Sequence, residues 1–156
     1  MSSDVAREAA QAPEPPAVLN DRLGYLLKHA QQRLVELTAD ALGPYGINGR
    51  ELGVLLVLDG LGPTSQQDVA RRMGVDRTTM VALIDALEAK SVVVRRPYEE
   101  DRRRNVVEFT ERGHELFVQA RKASDEAERR FVSPLEGTAA ELFRAQLRAI
   151  IRATSE

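Results

Sequence analysis

Arg77, Thr78 and Thr79 stand together directly after Asp76, and a second charged cluster, Asp101-Arg102-Arg103-Arg104, follows further along the chain. Hydroxyls and small side chains reach base edges and thymine methyls, whereas guanidinium groups pair with phosphates or enter a narrow minor groove. Met80, Leu83, Ile84 and Leu87 recur at helical spacing and define an inward side. Thr78, Ala82 and Asp85 then face outward, with Arg77, Thr79 and Val81 on the flanks. From Arg95 to Arg104 five arginines stand against three acids, a local +2 in a chain of net −2. The chemistry on offer is duplex-DNA binding, with a helix reading bases and a basic loop holding phosphates or the minor groove.

Positioning such residues takes a helix-turn-helix and a hairpin. Gly62-Pro63 breaks the preceding segment, and Thr64 with Gln67 has capping-box spacing, so the first helix is expected to begin at Thr64. Val69, Ala70 and Met73 form its inward stripe, and Gly74 stands where a left-handed C-cap is expected. Asp76 caps the second helix, where its charge suits the positive end of the helix dipole. Thr64, Ser65 and Gln66, at the head of the first helix, complete the candidate DNA-contacting set. Residues 91–97 are too rich in β-branched side chains to extend a helix and read as a strand, with residues 105–110 as its alternating partner. The charged loop between them makes this a winged helix. The expected fold class is mainly α: a winged helix-turn-helix core with a short β-hairpin wing.

Residues 1–17, with Pro13, Pro15 and Pro16 close together, read as a flexible arm, and residues 18–156 as one domain. Leu23, Leu26, Leu27, Ala30, Leu34, Leu37 and Ala41 make one helical stripe that ends near Gly43-Pro44. Asn48 and Glu51 form a capping box for a helix expected to bury Leu52, Leu55, Leu56 and Leu58. Thr110 caps a long helix striped by Leu116, Ala120, Ala123, Ala127 and Phe131, which Ser133-Pro134 breaks. Thr138 and Glu141 open a last helix carrying Leu142, Phe143, Gln146, Leu147, Ile150 and Ile151. Residues 48–112 suffice for the winged core. The apolar stripes of residues 18–44 and 113–156 exceed what that core buries, so they are read as dimerisation helices. A palindromic operator requires two recognition helices about one helical turn (~34 Å) apart, which a homodimer supplies.

The chain has 156 residues, 43% hydrophobic and only 4% aromatic, which favours an aliphatic helical interior. With no cysteine, disulfides, thiolate metal sites and cysteine redox switches are excluded. The two histidines, His29 and His114, lack ligand-spaced partners, so no metal or cofactor is expected. No phosphate-binding loop, nucleophile elbow or zinc-protease motif occurs, and the acids of residues 99–101 lie in a loop, so an enzyme is not expected. No apolar run approaches the ~20 residues that span a bilayer, and no signal-peptide core precedes the helices, so the expected compartment is the cytoplasm.

The run from Thr64 to Leu116 resembles the MarR family of bacterial winged-helix transcription regulators. Gln67-Asp68-Val69-Ala70, residues 74–79, Leu87-Glu88, Arg95-Arg96-Pro97, Asp101-Arg102-Arg103 and Thr110-Glu111-Arg112-Gly113 carry the resemblance by their order and spacing. It implies that Thr78, Thr79 and Ala82 meet base edges, and that Arg103 enters the minor groove with Asp101 orienting it. This chain departs from the family in placing Val81, Ala82 and Ala86 where polar residues are frequent, which shifts specificity toward thymine methyls and DNA shape. Ser91 replaces a common glycine, and Tyr98-Glu99 the usual start of the wing. The resemblance further implies a small aromatic or phenolic anion bound beside the first helix. Arg22 and His29, seven apart on one face, pair a cation with a titratable donor, and Tyr45 is a further candidate. As a bare pattern, these are also an exposed arginine and a surface histidine. The expected function is a homodimeric repressor released from double-stranded DNA by such a ligand. A regulator without a ligand, and a winged helix serving protein interaction, are the alternatives. Operator, regulated genes and effector are not legible in the sequence.

Overall fold

The structure, a computed structural model, describes residues 16–98 and 105–153. Two compact units divide the chain, Met1–Arg33 and Leu34–Glu156. In the first, a single helical turn α1 (Ala17–Asn20) precedes α2 (Leu23–Leu42), which runs on past the boundary. Ala17, expected to close the arm, thus opens a helix, and the rest of the arm up to residue 15 lies outside the described residues. Asp21 and Arg22 separate the two helices, so the helix that carries the stripe begins at Leu23, the stripe's first residue. Leu23, Leu26 and Leu27 are exposed.

The second unit is built by local signals that agree with one another. Pro44 sits at the start of a 3-10 turn (Gly43–Tyr45), and Gly46 closes it at φ 66°, a left-handed conformation suited to glycine. In α3 (Gly49–Leu61) the capping box is complete: Glu51 N–H donates to Asn48 Oδ1 and Asn48 N–H to Glu51 Oε2, both at 2.9 Å. Its buried side carries Leu52, Val54, Leu55 and Leu58. Leu56 departs from expectation and is 45% exposed, because it lies on the opposite side of the helix from Val54 and Leu58.

The helix-turn-helix follows as α4 (Gln66–Met73) and α5 (Arg77–Ala89), and the hairpin as β1 (Val93–Pro97) and β2 (Asn105–Phe109). β1 and β2 pair antiparallel, from Val93 opposite Phe109 to Pro97 opposite Asn105. Thr64 adds a third short edge: its N–H donates to the Val107 carbonyl at 3.1 Å, and Val107 N–H donates back at 2.8 Å. α6 (Glu111–Val132) is capped by Thr110 and ends at Ser133, and α7 (Ala139–Ala153) closes the described chain.

The core gathers Leu55 and Leu58 of α3, Val69 of α4, Met80, Ile84 and Leu87 of α5, Val92, Val107 and Phe117. It is aliphatic apart from Phe117, whose ring lies 5.3 Å from that of Phe109 and so packs the hairpin onto α6. Phe117 is the buried aromatic of α6, whereas the expected Leu116 is only half-buried. Burying each such side chain stabilises the fold by roughly 1.5–3 kcal/mol, enough to fix which face of α5 turns outward. Among the described residues, no helix is long and apolar enough to cross a membrane.

Candidate nucleic-acid interface

The head of α4 differs from the sequence expectation by one residue. Ser65, not Thr64, caps the helix: its Oγ accepts the Asp68 N–H at 3.2 Å and donates to Asp68 Oδ2 at 2.6 Å. Thr64 loses the capping role because its backbone is committed to Val107, and its hydroxyl donates to the Gly62 carbonyl at 2.8 Å. That leaves Thr64 buried, while Gln67, its expected capping partner, is exposed. Gly74 adopts φ 64°, and Val75 N–H reaches back to the Ala70 carbonyl at 3.1 Å, so the turn between the helices has the expected left-handed form.

Asp76 caps α5 with both carboxylate oxygens. Oδ1 accepts the Thr79 N–H at 2.9 Å, and Oδ2 accepts the Thr79 hydroxyl at 2.6 Å. The hydroxyl bond first, then the amide bond, hold the Asp76 carboxyl below its ordinary value. Thr79 therefore spends its donor on the cap and is half-buried, whereas Thr78 and Ala82 are exposed on the outer face with Asp85. Arg77 is exposed and has no carboxylate partner among the described residues.

Beside this face a cleft of about 720 Å³ opens between the helix-turn-helix and the hairpin. Ser65, Gln66, Gln67, Arg71, Arg77, Arg95 and Asn105 supply its polar lining. The structure thus brings together Ser65, Gln66 and Arg77, and adds Gln67, Arg71 and Asn105, which the sequence reading did not place among the DNA-contacting residues. Arg95 is turned inward. Its Nη2 donates to Asp85 at 2.7 Å, its other terminal nitrogen pairs with Glu88, and its backbone N–H donates to Glu88 Oε1 at 2.9 Å. Arg96 pairs with Glu108 across the hairpin at 2.6 Å. Two of the five arginines counted in this stretch are therefore neutralised by the protein itself. The acids Asp85 and Glu88, three apart on α5, were the signal that would have revealed it. Asp101, Arg102, Arg103 and Arg104 lie outside the described residues.

The joint between α5 and β1 explains the Thr110-to-Gly113 motif. Ser91 turns the chain at φ 57°, a region that favours glycine. Thr110 Oγ1 donates to the Ser91 carbonyl at 2.7 Å and Thr110 N–H to the Val92 carbonyl at 3.1 Å. A Cβ on Gly113 would stand 1.7 Å from that same Val92 oxygen, so only glycine admits the approach.

Residues 45–104 match the sequence pattern of the MarR family. The structure is similar to that of CouR from Rhodococcus jostii RHA1 bound to p-coumaroyl-CoA, at 30% identity, covering 86% of this chain and 95% of that one, with a TM-score of 0.76. The chain belongs to the MarR family. It is a winged-helix transcriptional regulator, and the regulators of this family are not enzymes. The same repressor, CouR, bound to a 23-mer DNA duplex is similar at 28% identity, covering 92% of this chain and 99% of that one, with a TM-score of 0.78. The transcriptional repressor NicR of Pseudomonas putida is 28% identical over 117 residues, 75% of this chain and 74% of that protein.

Of the ligand-contact candidates in this MarR-family chain, Arg22 and His29 are exposed, and the His29 ring lies 4.1 Å from that of Tyr25. Tyr45 is half-buried against the core of the second unit.

Proposed function

We propose that this MarR-family regulator is a homodimeric repressor that reads double-stranded DNA with α5 and is released by a small aromatic or phenolic anion. The observation that carries the DNA reading is the division of α5. It buries Met80, Ile84 and Leu87 and turns Arg77, Thr78 and Ala82 outward beside a cleft of mixed polar and apolar lining. Ser65, Gln66 and Arg77 hold phosphates, Thr78 and Ala82 meet base edges, and Arg102 to Arg104, with Asp101, serve the wing. Thr79 supports the cap. With few donors on the outer face, thymine methyls and DNA shape carry much of the specificity. A CouR structure with a DNA duplex supports the same use of this fold.

Dimerisation is supported by α7, in which no residue is buried and the apolar Leu142 is 57% exposed. Residues 18–44 and 113–156 supply the dimer contacts in this reading, with residues 48–112 as the winged core. The aromatic-anion assignment is supported by the CouR complex with p-coumaroyl-CoA, and Arg22 and His29 offer a cation and a titratable donor to such a ligand. A ligand can shift the repressor off DNA only by its differential affinity for the released form.

The test is a shift assay on the DNA flanking this gene, followed by titration of aromatic carboxylates and their thioesters into the complex. Ala82→Glu abolishes specific binding, and Arg22→Ala leaves binding intact while weakening release. Normal binding by Ala82→Glu overturns the reader assignment, and release unchanged in Arg22→Ala overturns the ligand contact.

A further inference from the structure

Glu51 is 2% exposed, the one buried charged side chain among the described residues. It accepts the Asn48 N–H at 2.9 Å, and both of its oxygens accept from Lys90 Nζ, at 2.6 and 2.8 Å. The cap alone does not ask for a charge, since a glutamine bonds the Asn48 amide equally well. What asks for it is Lys90, 39 residues away, at the far end of the recognition helix.

A buried carboxylate loses its hydration, and an ion pair in that setting is commonly no more stabilising than apolar side chains of the same volume. Two features moderate the cost: Glu51 lies at the positive end of α3 and Lys90 at the negative end of α5, and the Lys90 side chain stays 39% exposed. What the pair adds over apolar packing is direction. The contacts of Met80, Ile84 and Leu87 with the core are non-directional, and a helix held by them alone tolerates small rotations and slides. A carboxylate gripping one amine with both oxygens does not. Lys90 is also the C-cap of α5. Its carbonyl receives Arg112 Nη1 at 3.3 Å, and the left-handed Ser91 follows it directly. One side chain thus sets α5 against α3 at the joint where α5 passes into the wing. Since each residue of a helix advances the face by ~100° at 3.6 residues per turn, a small rotation there moves Thr78 and Ala82 out of register.

We propose that Glu51 and Lys90 are positioning residues for DNA recognition, a buried latch that holds α5 in the orientation that reads bases. The proposal rests on the assignment of α5 as the reader. Its test uses the full chain and two probes: a duplex selected by the wild-type protein from a random-sequence library, and a scrambled duplex of the same length and composition. Glu51→Gln keeps the cap, Lys90→Met keeps the aliphatic stem, and Lys90→Arg keeps the charge. Circular dichroism confirms that each is folded at the assay temperature.

Both Glu51→Gln and Lys90→Met weaken binding to the selected duplex by roughly ten-fold or more, about 1.4 kcal/mol, while scrambled-duplex affinity stays within about two-fold. Lys90→Arg recovers most of the loss. A general charge effect moves the two variants in opposite directions, since one removes a negative charge and the other a positive one; that result overturns the proposal. So does wild-type affinity in either folded variant, or an equal loss on both duplexes. If Lys90→Met does not fold, Glu51→Gln decides alone. Ala82→Glu is the control: normal selected-duplex binding there removes the reader and the latch together. Lost binding in Ala82→Glu beside normal binding in the pair variants removes the latch alone.

Discussion

Replacing Gly113 with alanine tests whether the start of α6 is locked to the α5–β1 joint. The added Cβ stands 1.7 Å from the Val92 carbonyl oxygen, 2.6 Å from its carbon and 2.9 Å from its Cα, all backbone atoms with no rotamer to escape into. Carbon–oxygen contacts settle near ~3.3 Å, so α6 must retreat by about 1.6 Å at this point. Retreat on that scale breaks the Thr110 N–H bond to Val92 (3.1 Å) and the Thr110 hydroxyl bond to Ser91 (2.7 Å). Each bond is worth about 1 kcal/mol net, and overpacking a closed contact adds roughly 1–3 kcal/mol. Alanine's better helix propensity offsets up to about 1 kcal/mol of this. The expected net loss is roughly 2–4 kcal/mol. Urea unfolding followed by circular dichroism reads it as a lower midpoint at unchanged slope. A midpoint equal to wild type would refute the close-approach account of the motif.

Three further outcomes follow from individual residues. Ser91→Gly relieves a left-handed serine (~1 kcal/mol or more) at the cost of glycine's extra unfolded-state freedom (about 0.5–1 kcal/mol), so thermal unfolding shows a neutral to slightly raised midpoint and never a large loss. Asp76 has a folded-state pKa below its ordinary 3.8, so its stabilisation is full above that value and is lost as pH falls through the lower folded value. The stability gap between wild type and Asp76→Asn therefore narrows in acid unfolding below about pH 4, and a gap that widens there contradicts the cap geometry. For the proposed homodimer, Leu142→Glu, on the face of α7 that nothing in the described chain buries, gives a monomer in sedimentation with its winged core still folded; a variant that sediments as wild type contradicts the α7 interface.

Most of the winged core was legible because its signals are local. Asp76, Gly74, Asn48 with Glu51, and Thr110 each satisfy or turn a backbone within four residues, and the structure uses all of them as read. Thr64 failed for a non-local reason. Its spacing to Gln67 suits a cap, but a strand 43 residues later claims its backbone, and the cap passes to Ser65 and Asp68. Leu56 failed because a run of apolar residues hides which side of a helix is inward until the neighbours are in place. Gly113 belongs to a motif whose reason is invisible in sequence, since it depends on the Val92 carbonyl approaching from another element.

Charge shows the same limit and bears most directly on the site. Counting residues gives the stretch from Arg95 to Arg104 a net positive balance, yet a count does not say which arginines face outward. Arg95 is shared between two carboxylates, Asp85 and Glu88, and Arg96 pairs with Glu108. Left unpaired, Asp85 would put a carboxylate on the outer face of α5, where in the proposed reading it would repel DNA phosphates. Arg95 offsets part of that charge while tying β1 to α5. A guanidinium committed to two carboxylates is geometry for the hairpin and not a free phosphate donor. In a chain of net charge −2, three acids on and beside α5, Asp85, Glu88 and Glu108, are thus shared between two arginines, so what reaches solvent from this stretch is set by pairing and not by the residue count.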